Sequence, residues 1–179
     1  MKKWMIFLTT FAIVVFNLNA LACGPTPQKV VKEIIIKADS KTVWAVMDKF
    51  DAIALWHPDV QSTTMIKKTD EDGNAQSDRV IKFKSGVTLE EKRRTTPNIQ
   101  MKLDYQMTGG DFLVSNYRGV MQVKEGNING ETIVTWTGRF NNKANILAAP
   151  VGQDNDAAIS AVSTFYEDGL EGLKNFIEK

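Results

Sequence analysis

Between residues 156 and 179 the apolar positions Ile159, Val162, Tyr166, Leu170, Leu173, Phe176 and Ile177 recur at steps of three and four. That period places them on one face of a long helix, with Ser160, Glu167, Asp168, Glu171, Lys174 and Glu178 mostly on the other. Upstream the period changes to two. Ile99, Met101, Leu103, Tyr105 and Met107 alternate with Gln100, Lys102, Asp104 and Gln106, which predicts a half-buried strand over 99–107. Shorter runs predict strands over 30–37, 61–68, 79–84, 87–95, 115–124 and 131–140. Turn residues separate them, among them Asp72-Gly73-Asn74, Ser85-Gly86, Gly109-Gly110 and the stretch 125–130. After the first strand, Val43, Val46, Met47 and Phe50 share one face of a short helix that Asp39 or Ser40 can cap. A second short helix over 52–56 ends at His57, because Pro58 disfavours helical geometry in the residue before it.

The order strand, helix, helix, six strands, helix describes an α+β domain with a curved antiparallel sheet of seven strands around the last helix. The apolar stripe of that helix must lie against the sheet. Two interiors are compatible with this: a solid core, or a cavity left beneath the helix.

The first residues do not belong to this domain. Met1-Lys2-Lys3 is basic, residues 4–15 are almost uninterrupted apolar sequence, and Ala20-Leu21-Ala22 supplies small residues for cleavage. This is the pattern of a secretory signal peptide and is too short for a membrane span, so export to the periplasm is expected. The boundaries are a signal peptide over 1–22, an N-terminal arm over 23–29 and one domain over 30–179. Cys23 stands where a lipoprotein carries its lipidated cysteine, and it reads equally as a free thiol after ordinary cleavage.

The chain's 43% hydrophobic and 24% charged residues are those of a globular protein. There are 22 basic and 21 acidic residues, and loss of Lys2 and Lys3 leaves 20 against 21. That balance argues against nucleic acid as a partner, and leaves a lipid on Cys23 as the expected route to a membrane. One cysteine excludes an intramolecular disulfide, and with one histidine it argues against a zinc site. No glycine-rich phosphate loop is present, and no cofactor is expected.

Several short stretches resemble one known group. They are residues 24–30 (GPTPQKV), Trp44 in the first helix, Trp56-His57-Pro58, Val114-Ser115-Asn116-Tyr117, 136–140 (WTGRF) and 166–173 (YEDGLEGL). In this order they resemble the MxaD-like branch of the START-like, Bet v 1-like and polyketide-cyclase-like superfamily. The resemblance runs from about Gly24 to the C-terminus. It implies the helix-grip fold, and it implies an accessory protein that touches a periplasmic quinoprotein dehydrogenase and its cytochrome in methanol oxidation.

Any Ser-His-Asp or Cys-His arrangement would have to use His57, which sits at a helix end as a structural or rim residue. No acid–base pair suggests an enzyme, although a cyclase or dehydratase remains an alternative. Glu90-Glu91 followed by Lys92-Arg93-Arg94 reads as a solvated edge or rim. The aromatic residues Trp44, Trp56, Tyr105, Tyr117, Trp136, Phe140 and Phe165 either fill a dry core or, with His57, line a cavity for a small hydrophobic molecule. Arg139 has the opposite strand parity to Trp136 and Phe140 and is expected to face outward.

Overall fold

A computed structural model of the chain describes residues 24–69, 73, 75–94 and 101–179. The expected signal peptide, Cys23 and most of the 70–74 turn lie outside the described residues. The described elements are β1 (Gln28–Ile36), α1 (Ser40–Met47), α2 (Ile53–Trp56), β2 (Val60–Thr69), β3 (Ala75–Phe83), β4 (Thr88–Arg94), β5 (Lys102–Gly110), β6 (Val114–Glu125), β7 (Thr132–Asn142) and α3 (Asn155–Ile177). The seven strands form one antiparallel sheet in the order β1-β7-β6-β5-β4-β3-β2. The first strand therefore closes onto the last. Register shifts in the β2–β3, β4–β5 and β6–β7 pairings bend the sheet, and it holds α3 against β1 and β7, with α2 beside it. This is the helix-grip architecture.

Local chemistry sets the helix ends. The Asp39 carboxylate accepts from the Thr42 N–H and caps α1, and the Asp154 carboxylate accepts from the Ala157 N–H and caps α3. The buried face of α3 is Ala158, Val162, Phe165, Tyr166, Gly169, Leu170 and Leu173. It is rotated from the expected stripe. Phe176 is 36% exposed, and Ile159 and Ile177 are half-buried. Two glycines explain the offset. A Cβ on Gly169 would lie 2.7 Å from the His57 ring, and one on Gly172 would lie 2.0 Å from the Trp56 carbonyl oxygen. The small residues let the helix approach α2 closely, which turns Phe176 off the sheet. Glu167 on the other side pairs with Lys32 of β1.

The expected edge at 90–94 is not an edge. β4 lies inside the sheet between β3 and β5. Glu91 opposes Arg79 directly and is completely buried, with Arg79 Nε and Nη2 at 2.7 and 2.6 Å from its Oε2. Arg79 Nη1 donates to the Phe50 carbonyl at 2.6 Å, and the guanidinium lies 4.0 Å from the centre of the Phe50 ring. Arg93 reaches back to the Asp48 carbonyl and carboxylate, and only Glu90 and Arg94 of the run are exposed. Arg79 bonds to the Phe50 carbonyl and Arg93 to Asp48, so these two cations fix the helical elbow to the sheet.

Aromatic rings fill the centre. Gly119 on β6 and Gly138 on β7 are cross-strand partners. A Cβ on Gly119 would lie 2.3 Å from the Tyr105 ring, and one on Gly138 would lie 2.5 Å from the Tyr166 hydroxyl. Their bare backbones let two tyrosines lie flat on the sheet. Trp136 stacks on Tyr166 at 4.3 Å between ring centres. Its indole N–H donates to the Tyr105 hydroxyl at 2.6 Å, and hydroxyl contacts continue from Tyr105 to Tyr117 (3.2 Å) and from Tyr117 to Tyr166 (2.8 Å). Because the space beside Gly119 is already occupied by a ring, Gly119→Ala should destabilise the fold by about 2 kcal/mol or more. Urea denaturation of the variant measures this.

His57 joins α2 to α3. Its Nε2–H donates to the Phe165 carbonyl at 2.9 Å, while its Nδ1 accepts from the Asp59 N–H at 3.2 Å, so these bonds assign the neutral ring. The side chain is only 3% exposed and stacks on Phe165. Burial pushes the imidazole below its ordinary value, against upward pulls from the Phe165 carbonyl, Asp59 and Asp168. In the unfolded chain the ring takes a proton near pH ~6.5. Below that pH the unfolded state binds a proton that the folded state refuses, so stability falls. The slope from this group is at most about 1.4 kcal/mol per pH unit. His57→Gln keeps a donor toward Phe165 and cannot titrate. Between about pH 7.5 and 5 the native protein should lose more stability than this variant. Equal losses would contradict the assignment.

Candidate functional site

An opening along the grip lies at one end of it, beside the first half of α3. Gly109 and Gly110 belong to β5 and pair with Glu90 and Leu89. Gly110 has φ of 102°, and a Cβ there would fall 2.5 Å from the Thr88 carbonyl oxygen. Only glycine fits this close, left-handed crossing. The chain then reverses, with the Asp111 N–H on the Thr88 carbonyl at 2.8 Å, and Phe112 turns inward. Phe112 stacks on Phe83, the last residue of β3, at 5.5 Å, and meets Phe165 of α3 edge-on at 5.6 Å.

These three rings floor a groove of about 540 Å³. Ala157, Ser160, Ala161 and Thr164 form its helical wall, Leu113 and Gly152 one rim, and Asp59, Lys84 and Ser85 the other. The size suits a small organic molecule, since ligand pockets span roughly 300–1,000 Å³. The surface is mainly apolar, with short hydroxyl side chains spaced along α3 and one charge of each sign at the rim.

Of the eight residues expected to line a cavity, Phe165 alone borders this groove. Trp56, His57, Tyr105, Tyr117, Trp136 and Phe140 are buried together in the core. Trp44 sits half-buried on α1, and Arg139 is exposed, as its parity indicates. Phe165 is the junction between core and groove, because its ring also meets Trp136 at 5.2 Å and His57 at 4.5 Å. Sequence reasoning missed Phe83, Phe112 and the short side chains of α3. A signal for Phe112 existed, since a lone aromatic directly after Gly109-Gly110-Asp111 is poorly placed for a solvated turn.

The interior offers neutral donors. Burial pushes the phenols of Tyr105, Tyr117 and Tyr166 above their ordinary value, so all three stay protonated. The ladder from Trp136 to Tyr166 holds four protons and makes three bonds, so one hydroxyl proton has no acceptor within it. Burial also raises the Glu91 carboxyl, with Arg79 pulling it down, and Glu91 Oε1 lacks a hydrogen-bond partner. The Phe165 ring borders the groove on one side and packs on Trp136 and Tyr166 on the other. Among the described residues, no group of three or more His, Cys, Asp or Glu side chains is placed to hold a metal ion.

Comparison with known proteins agrees with this architecture. No curated protein matches the sequence. Among solved structures, an uncharacterised protein of Bacillus thuringiensis is 24% identical, with a TM-score of 0.67 over 85% of this chain and 100% of its own. A START superfamily protein of Mycobacterium smegmatis is 12% identical, with a TM-score of 0.65 over 84% and 97%. The ZhuI aromatase/cyclase of Streptomyces sp. R1128 is 14% identical, with a TM-score of 0.62 over 86% and 92%. At these identities the likeness is one of fold. A family described as polyketide cyclase / dehydrase and lipid transport matches residues 27–178, which is nearly the whole described chain, and the protein belongs to that family.

Proposed function

We propose that the groove between α3 and the β5–β6 turn binds a small apolar molecule with a polar end, and that the chain acts as a binding module. The carrying observation is the floor of Phe83, Phe112 and Phe165 beneath a wall whose polar groups are Ser160 and Thr164. Such a surface takes an apolar body by burial and orients its polar end through a few hydroxyls. The rim carries Asp59, Lys84 and Ser85, which together with Ser160 and Thr164 supply polar binding groups. The family's breadth, from cyclases and dehydrases to lipid transport, supports a ligand of this kind.

The second reading is an exported accessory factor of the MxaD type, acting between a periplasmic quinoprotein dehydrogenase and its cytochrome. It is favoured by the ordered stretches from 24–30 to 166–173 and by the signal-like residues 1–22. Adding the purified protein to such a dehydrogenase and cytochrome should then raise the rate of cytochrome reduction, and no change in rate would remove this reading.

The groove reading makes a sharper forecast. Ser160 is exposed on α3 and borders the groove, so a large ring there fills the space at little cost to the fold. Ser160→Trp should weaken binding of a fluorescent anilinonaphthalene sulfonate by about tenfold or more, with an unchanged urea midpoint. Undiminished binding by a folded variant would place the ligand elsewhere.

A further inference from the structure

One end of the sheet carries several features that the groove alone does not explain. β1 begins there, with Gln28 opposite Phe140, and β6 begins there, with Val114 opposite Asn142. The loop over 143–154, the β5–β6 turn and the start of α3 meet at the same end. Ile146, Leu147 and Leu113 are about half exposed in this region, and Val151 is 96% exposed.

The loop is held in this state by a polar scaffold. Asn142 Nδ2 donates to the Ile146 carbonyl, and Asn142 Oδ1 accepts from the Ile146 N–H. Asn145, at φ 56°, receives bonds from Ser115, Asn116 and Asn141 on its side-chain oxygen. Asn142 also bonds to Asn155 at the start of α3. The asparagines fix the backbone while the aliphatic side chains point to solvent. Exposed aliphatic side chains presented by a fixed loop mark a docking surface.

The chain outside the structure indicates the occupant. The described chain starts at Gly24, four residues before β1, and the sequence before it contains the apolar run 4–15 and Cys23. The five steps from Cys23 to Gln28 span at most about 18 Å. A lipid on Cys23, the position the sequence offers for one, therefore brings this end of the sheet to the bilayer. The charges nearby are mixed. Lys29, Lys84, Arg139 and Lys143 stand beside Asp59, Asp111, Asp154 and Asp156. The attraction is therefore apolar and does not require anionic lipid.

We infer that this end of the sheet docks on a lipid bilayer, with Ile146, Leu147 and Val151 entering its interface. The groove bordered by Leu113 and Gly152 then opens toward the lipid. The inference rests on the loop and the chain's exit point, so it survives if the groove binds something other than an apolar molecule.

The test uses the full chain with phosphatidylcholine vesicles and a tryptophan placed in the loop. Val151→Trp should show emission, relative to the native protein, that moves to shorter wavelength on adding vesicles and is quenched when the acyl chains carry bromine. Ile128→Trp, in the exposed β6–β7 turn at the opposite end, should show neither change. Emission from Val151→Trp that is the same with and without vesicles overturns the inference. So does equal quenching at the two ends, which would mean the protein meets lipid without this orientation.

Discussion

Gly119 and Gly138 lie side by side on neighbouring strands and determine how deeply aromatic rings reach into the sheet. Any side chain there would collide with Tyr105 or Tyr166. With both absent, the two tyrosines lie close to the backbone, and Trp136 rests between the ring of one and the hydroxyl of the other. The position of α3 follows from this, since Tyr166 belongs to it. So does the position of the elbow, because Gly169 and Gly172 bring α3 against Trp56 and His57. Close packing of this kind leaves little room for change, as interiors packed like crystals transmit every added atom to their neighbours.

The consequence for function is spatial. A helix-grip sheet can leave a hollow beneath its helix, but here Trp136, Tyr117, Tyr166 and Phe165 occupy the middle of that space. The opening moves to the first half of α3, where the helix carries Ala157, Ser160, Ala161 and Thr164 instead of large side chains. Phe165 stands at the boundary, with one side on the core and the other on the groove. The buried Arg79–Glu91 pair joins β3 to β4 beside the Tyr105 ring, and Arg79 also bonds to the Phe50 carbonyl after α1. Breaking one member of such a pair is costly because the other is left charged and buried.

The fold was legible because it rests on local signals. The alternation over 99–107 and the three-and-four spacing over 156–179 each identify an element without knowledge of any partner. The order of elements then selects the architecture. What was not legible depended on register. Glu91 looks like a member of a solvated charge run until β4 is placed between β3 and β5, where its parity turns it toward Arg79. The rotation of α3 depends on where two glycines meet another helix, so the three-and-four spacing alone puts Phe176 on the buried face, from which the structure turns it away. Of the aromatic residues all but the half-buried Trp44 are buried, but sequence alone does not separate those that pack on one another from the one that borders open space. The groove was missed because it is defined by small side chains, and small side chains carry almost no periodic signal.

The most direct test of this account follows the indole N–H signals of the protein by NMR while lauric acid is added. The account predicts that the Trp136 indole proton exchanges slowly and holds its resonance at saturation, while the amides of Phe112 and of residues 157–164 move. A Trp136 signal that shifts or broadens together with the ligand, with the groove amides unchanged, would show that the centre of the grip opens and would contradict the account.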